Sequence, residues 1–289
     1  MTYHLAIGDR SYSSWSLRGW LLFEKFGLPV RCHAGVLYTE DFQRLLAEFP
    51  PARTVPALRL PEGDVISESL AIAETLAERH PEAGLWPEDP AARAMARSMA
   101  AEMCTSFSAL RGDCPMNLLV SYEDSAPRAE VLADLARIGV LWARARDRFG
   151  TAGPWLFGRY TAADAFFAPV ATRIATYNLP VSAGAMDYVN AHLSDPSFRR
   201  WRAMGKAQNL IQPSYAKPFA ERAWPGPAPL PAEIADGPSE NTACPYSGDP
   251  VTDFLRLEGR VWGFCNPFCR DRTLADPEAW PAFMAMLAR

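Results

Sequence analysis

Two groups of residues in this chain have the types and spacing to do chemistry. The first is the hydroxyl-rich run Ser11-Tyr12-Ser13-Ser14-Trp15-Ser16-Leu17-Arg18. It lies between an apolar stretch, His4-Leu5-Ala6-Ile7-Gly8, that reads as a buried strand, and a segment where Leu17, Leu21, Leu22 and Phe26 recur at helical spacing. A helix starting there leaves four backbone N–H groups unpaired and a partial positive charge at its N-terminus. Serines at such a start cap the helix. With those N–H groups they also suit an anion, in particular a sulfur anion. The second group is Cys244, Cys265 and Cys269, clustered near the C-terminus, whereas Cys32, Cys104 and Cys114 are scattered. In a cytosolic chain a local cysteine cluster points to metal more than to disulfides.

The elements that must position the serines follow in order. Residues 30–36 read as a second strand and 41–48 as a short helix. A strand over 54–60 contains Val55-Pro56, and the turn residues Pro61-Glu62-Gly63-Asp64 return the chain antiparallel into Val65-Ile66. Ser67-Glu68-Ser69 opens a helix with Leu70, Ala73, Leu76 and Ala77 on one face, closed by His80-Pro81. The order β-α-β-α-β-β-α matches a thioredoxin-like domain, an α/β fold whose strand after the first crossover starts at a cis-proline.

Ser13-Ser14-Trp15-Ser16, Val55-Pro56 and Glu68-Ser69-Leu70-Ala71-Ile72, in this order and spacing, resemble the N-terminal domain of the glutathione S-transferase family, most of all its serine-type members of the zeta and theta kind. The resemblance implies a glutathione site. Val55 would offer its backbone N–H and C=O to the extended tripeptide as an added strand. Glu68 and Ser69 would meet the γ-glutamyl carboxylate at a helix start. Aligning Gly27-Leu28-Pro29 with the Gly-Ile that follows this helix in the family places Ser13 at the first position of the zeta-type Ser-Ser-Cys motif, as the hydroxyl that stabilises the thiolate. Ser14 and Ser16 are rivals for that role, and Arg18 adds positive potential or is a solvated helix residue. Trp15 stands where zeta members have cysteine, so a dithiol redox role is not expected. The electrostatic task is modest. Lowering a thiol pKa of about 8.5 by about two units needs ~2.7 kcal/mol of preference for the anion.

From Asp89 the composition turns rich in Ala, Leu and Arg, with Trp86-Pro87-Glu88-Asp89-Pro90 as linker. Met95, Met99, Met103 and Phe107 recur every four residues as one helix stripe, read as core or as a wall for an apolar substrate. Arg111 with Pro115-Met116-Asn117 closes that helix and could face the cleft. A second long helix spans 127–149. Thr161 and Asp164 form a capping-box variant, assigned to folding. Helices over 187–192 and 197–204 complete an all-α domain of the kind that follows the thioredoxin-like one in the family.

Seven prolines between 213 and 238 make a stiff linker. Beyond it, residues 254–257 and 261–264 read as a hairpin turning at Glu258-Gly259, and a last helix opens near Cys265. Twenty residues separate Cys244 from Cys265 and three separate Cys265 from Cys269. This spacing resembles the small treble-clef-like α+β modules of the YHS and TRASH type, associated with metal. Three thiolates suit zinc, but a structural zinc takes four ligands, so Asp249, Asp271 or another group would have to complete the shell, or copper(I) or another soft ion binds instead. A metal-free miniature domain packed by its aromatic residues is the alternative. The expected organisation is thus 1–82 for the glutathione-binding domain, 90–222 for the helical domain, 223–241 for the linker and 242–289 for the cysteine module.

At 289 residues with net charge −4, the chain gives no reason to expect nucleic acid or an anionic membrane as partner. No apolar run reaches the roughly 20 residues that span a bilayer. The start, Met1-Thr2-Tyr3-His4, lacks the features of a secretory signal, and a cytoplasmic location is expected. The resemblance implies a homodimeric transferase that joins glutathione, as co-substrate, to a small electrophile. A zeta-type glutathione-dependent isomerase is the nearest alternative, and a non-catalytic sensor or adaptor binding glutathione and metal a more distant one.

Overall fold

The computed structural model describes residues 2–150 and 153–288. Contacts divide it into two units, Met1–Leu193 with Gln212–Pro225, and Ser194–Ile211 with Gly226–Arg289.

The first unit begins with β1 (Tyr3–Ile7), α1 (Ser14–Glu24), β2 (Val30–Ala34), α2 (Glu40–Ala47), β3 (Ala57–Arg59), β4 (Val65–Ser67) and α3 (Ser69–Arg79). The sheet order is β2-β1-β3-β4, with β1–β2 parallel and the other pairs antiparallel, the thioredoxin-like arrangement. β1 is central, and Leu5, Ala6 and Ile7 are fully buried, which is why it reads as an unbroken apolar run. α1 packs against β1 and α3, and its Leu17, Leu21, Leu22 and Phe23 are buried. Gly19 lets that helix approach the loop before β3, since a Cβ there would sit 2.8 Å from the Pro56 side chain. The Val55–Pro56 peptide is cis.

The helices that follow are α4 (Pro90–Thr105), α5 (Ser108–Asp113), α6 (Ala129–Phe149), α7 (Ala162–Tyr177) and α8 (Ala183–Ser194), with the short pair β5 (Ser121–Tyr122) and β6 (Glu221–Arg222) beside them. Every residue of α7 is buried. Its capping box is formed as expected: Asp164 accepts from the Thr161 N–H and hydroxyl at 2.8 and 2.9 Å. The same carboxylate accepts from the Leu156 N–H and the Tyr188 hydroxyl. The methionine stripe is interrupted. Met99 and Met103 are buried on α4, but the helix ends at Thr105 and Phe107 takes a left-handed φ of 60° ahead of α5. Arg111 Nη1 donates to the terminal carbonyls of Cys104 and Ser106 at 3.0 and 3.1 Å, satisfying acceptors that a continued helix would have used.

The second unit contains α9 (Pro196–Gln208), then β7 (Ala232–Ala235), β8 (Asp253–Leu257), β9 (Arg260–Phe264), α10 (Pro267–Ala275) and α11 (Pro281–Leu287). α9, expected as the end of the helical domain, packs instead with α10, where Arg199 forks onto Asp276 at 2.8 and 2.7 Å and also meets Glu278. Within the segment expected as linker, β7 pairs antiparallel with β8. The hairpin β8–β9 turns at Glu258 and Gly259, both with positive φ (51° and 77°). Leu255, Leu257, Trp262, Phe264 and Phe283 form the core of this unit.

Candidate functional site

Ser13 is the N-cap of α1, and a chain of hydrogen bonds runs back from it into the core. The Gly8 N–H donates to Ser16 Oγ at 3.0 Å, and the two serine Oγ atoms are 2.7 Å apart. The Ser16 N–H donates to Ser13 Oγ at 3.4 Å. Ser16 is fully buried and Ser13 is 7% exposed. Either hydroxyl can be the donor in the Ser13–Ser16 contact; the arrangement in which Ser16 donates leaves the Ser13 O–H available to a further acceptor. Ser14 begins the helix proper, and its Oγ accepts from Arg173 Nη2 at 3.3 Å.

Ser13 and Ser14 border a groove of two adjoining lobes, of about 290 and 530 Å³, which share Tyr12, Ser14, Trp15, Tyr38 and Tyr215, whereas Ser16, expected as a rival for the thiol, is fully buried and lines neither. The smaller lobe adds Ser13, Thr54, Val55 and Arg53; the larger adds Arg111, Met116 and Arg173. β3 pairs with β1 only from Ala57 onward, so Val55 lies ahead of the ladder. Among the described residues no carboxylate lines either lobe.

Two guanidiniums are buried here. Arg173 donates to the carbonyls of Cys114 and Pro169 as well as to Ser14. Burial brings its pKa down to about 10, so it stays charged at neutral pH. Arg18 is fully buried, with its Cζ 3.8 Å over the Trp15 ring and Nη1 directed at Cys104 Sγ at 3.8 Å. Burial, with Arg173 and Arg111 nearby, lowers it to about 9, still cationic at pH 7. Arg18 is therefore not the solvated helix residue that one reading of the sequence allowed. Arg111 also faces Trp15, its Cζ 5.1 Å from the ring centre.

The residues expected at the second helix start stand differently. Ser69 opens α3 and is buried, its hydroxyl turned to Cys104 Sγ, a thiol that burial pushes up. Glu68 is exposed with φ 69° and makes no side-chain cap. Neither these two nor Pro56 lines the two lobes. Sequence reasoning passed over Arg173 and the tyrosines Tyr12, Tyr38 and Tyr215. Arg173 carried a signal: it is the one basic residue in the otherwise apolar and small-residue run from Ala162 to Tyr177.

In the second unit, the thiols of Cys244, Cys265 and Cys269 lie within 4.8 Å of one another. Cys244 sits in a tight turn where Gly248 N–H donates to its carbonyl and its own N–H donates to the Asp249 carbonyl. Burial would raise the Cys244 thiol, but backbone N–H groups of Tyr246, Cys265 and Ser247 outweigh it and bring the pKa to about 7. Cys265 precedes Asn266, the N-cap of α10, so it joins the cluster from the end of β9 and not from the helix.

Residues 12–79 match the family model described as the glutathione S-transferase N-terminal domain. A probable maleylacetoacetate isomerase of Caenorhabditis elegans is 34% identical over 110 residues, covering 38% of this chain and 50% of that protein. The maleylacetoacetate isomerase of Dictyostelium discoideum is 28% identical over 127 residues, covering 42% and 56%. The chain thus spans about half the length of these curated relatives. Among solved structures, a glutathione transferase homolog from Burkholderia with bound glutathione superposes with a TM-score of 0.54 at 22% identity, over 71% of this chain and 98% of that one. An omega glutathione transferase from Trametes versicolor does so with a TM-score of 0.55 at 20% identity, over 72% and 96%. These likenesses bear out the thioredoxin-like domain followed by helices.

Proposed function

We propose that the chain is a glutathione-dependent enzyme of the glutathione S-transferase family whose second substrate is an anionic, electron-poor alkene, and that it acts as a cis–trans isomerase. The observation that carries this reading is the groove: the Ser13 and Ser14 hydroxyls stand beside a lobe bearing two arginines and, among the described residues, no carboxylate. The N-terminal family match and the relatives named maleylacetoacetate isomerase support it.

In this reading Val55 pairs with the glutathione backbone, and the Ser13 O–H donates to the sulfur, which loses its proton without a dedicated base. The thiolate attacks one alkene carbon, forming a C–S bond as the π electrons move toward the conjugated carbonyl. The former double bond is then single and rotates. Return of the electrons expels the thiolate and leaves the trans isomer with glutathione unchanged. Arg173 and Arg111 hold the substrate carboxylates and offset the negative charge of the intermediate. Ser14, backed by Arg173, lines both lobes and so borders the sulfur and the substrate in this reading.

Conjugation of a neutral aromatic electrophile is the second reading. Trp15, an aromatic wall shared by both lobes at the position of the zeta-type cysteine, favours it. Maleylacetoacetate and chlorodinitrobenzene assayed side by side separate the two. Glutathione-dependent formation of the trans product, with glutathione not consumed, is the expected result. Consumption of glutathione with chlorodinitrobenzene alone would establish the transferase, and retention on immobilised glutathione without turnover of either would make the chain a binding protein. A homodimer is part of the same reading, and sedimentation of the full chain tests it.

A further inference from the structure

The cysteine cluster lies in the second unit and plays no part in the chemistry proposed for the groove. Its three sulfur atoms fall within 4.8 Å of one another, and Cys265 and Cys269 Sγ are 3.9 Å apart. Three sulfurs bound to one ion at about 2.3 Å stand just under 4 Å apart, so the triangle needs only a small contraction. The cluster contains no carboxylate or imidazole among the described residues, so the Asp249 or Asp271 considered from the sequence does not complete it. Asp271 is instead paired with Arg270.

The polar groups around the cluster are donors. Ser247 Oγ and Asn266 Nδ2 reach Cys265 Sγ at 3.3 and 3.2 Å. Such a surrounding favours sulfur in its anionic, ligating form and holds it in place. Cys244 and Cys269 are buried, 3% and 8% exposed, whereas Cys265 is partly open to solvent. The three ligands come from separate pieces of the module: the turn at 244–248, the end of β9 and the first turn of α10.

We propose that Cys244, Cys265 and Cys269 bind one thiophilic d10 ion, zinc(II) or copper(I), through three protein thiolates, with no fourth protein ligand. For copper(I) three sulfurs complete a trigonal shell; for zinc(II) a fourth position remains on the partly exposed Cys265 side, open to water.

The full chain, purified metal-free with a phosphine reductant, is titrated with zinc against a chromophoric chelator and separately with copper(I) against bathocuproine disulfonate. One equivalent is expected to bind, with metal shielding three thiols from Ellman's reagent. The ion that outcompetes its chelator is the one the site takes. Cys265→Ser should weaken binding by about 100-fold or more, while Cys32→Ser leaves it unchanged. Near-ultraviolet circular dichroism reports whether each variant keeps its fold; if Cys265→Ser loses it, the thiol shielding and the sulfur count on the unmutated chain decide. X-ray absorption should show three sulfurs, joined by one oxygen or nitrogen if the ion is zinc. Failure to compete for either ion, binding that survives replacement of all three cysteines by serine, or four sulfurs around the ion would each overturn the proposal.

Discussion

Ser13 and Arg173 show how single side chains divide the work at the groove. In the proposed function Ser13→Ala removes a donor to a charged sulfur, and it also removes the N-cap acceptor of the Ser16 N–H, so the activity loss is read beside a urea midpoint that reports the cap. A hydrogen bond to a charged group contributes about 1.5–3 kcal/mol, so kcat/KM should fall roughly 10- to 100-fold. The pKa of bound glutathione, followed by thiolate absorbance across pH, should rise in the same variant. Ser16→Ala breaks the Ser13–Ser16 contact and Ser14→Ala leaves it whole; equal losses from all three would refute the assignment to Ser13. Arg173→Lys keeps the charge but loses the planar fork. We expect about a tenfold rise in KM for a carboxylate-bearing substrate and little change for chlorodinitrobenzene. The serines were legible because a hydroxyl run at a helix start has local spacing. Arg173 was not assigned because its partner Ser14 lies 159 positions away in sequence.

Among the elements, α7 depends on the start of its own first turn. Asp164 is fully buried; burial raises its carboxyl pKa, a rise that four donors from Leu156, Thr161 and Tyr188 limit without cancelling. Asp164→Ala strands those donors in the core and should cost about 3–5 kcal/mol, read as a lower urea midpoint. Asp164→Asn, which keeps part of the acceptor capacity, should cost less. The β8–β9 turn errs in the other direction. Glu258 occupies a positive φ of 51° where Asn is at ease, so Glu258→Asn should stabilise the hairpin unit by roughly 0.5 kcal/mol. Periodicity and capping located both elements. The break between α4 and α5 was missed because an arginine five to seven residues downstream supplies the carbonyls' partner, and the apolar spacing runs straight through it.

At the scale of the molecule, two units each carry a core, and among the described residues no helix is long and apolar enough to cross a membrane. His192, in the first unit, is buried among Trp155, Tyr160 and Tyr188. Burial, aided by Lys25, brings its pKa down from 6.5 to about 3. The folded state therefore holds this imidazole neutral while the unfolded chain protonates it. Its contribution is intact above pH 6.5 and is lost as pH falls toward 3, at up to about 1.4 kcal/mol per pH unit. Urea unfolding at pH 7, 6 and 5 should show a steeper decline for the unmutated chain than for His192→Leu. Equal slopes would show that this group does not titrate on unfolding.

The sequence alone determined the thioredoxin-like order, the serine-bearing helix start, the Val55-Pro56 position, the α7 capping box and the grouping of three cysteines. Each is written in short-range spacing, which secondary-structure periodicity and capping chemistry translate directly. Tertiary structure alone decided that Arg18 is buried against Trp15, that Arg173 backs Ser14, that Ser69 turns to Cys104 and that α9 packs with α10. Among the described residues it also left the cysteine triangle without a carboxylate. The reason is physical: desolvation, guanidinium forks and convergence of side chains depend on which distant segments pack together, and no local pattern encodes those meetings.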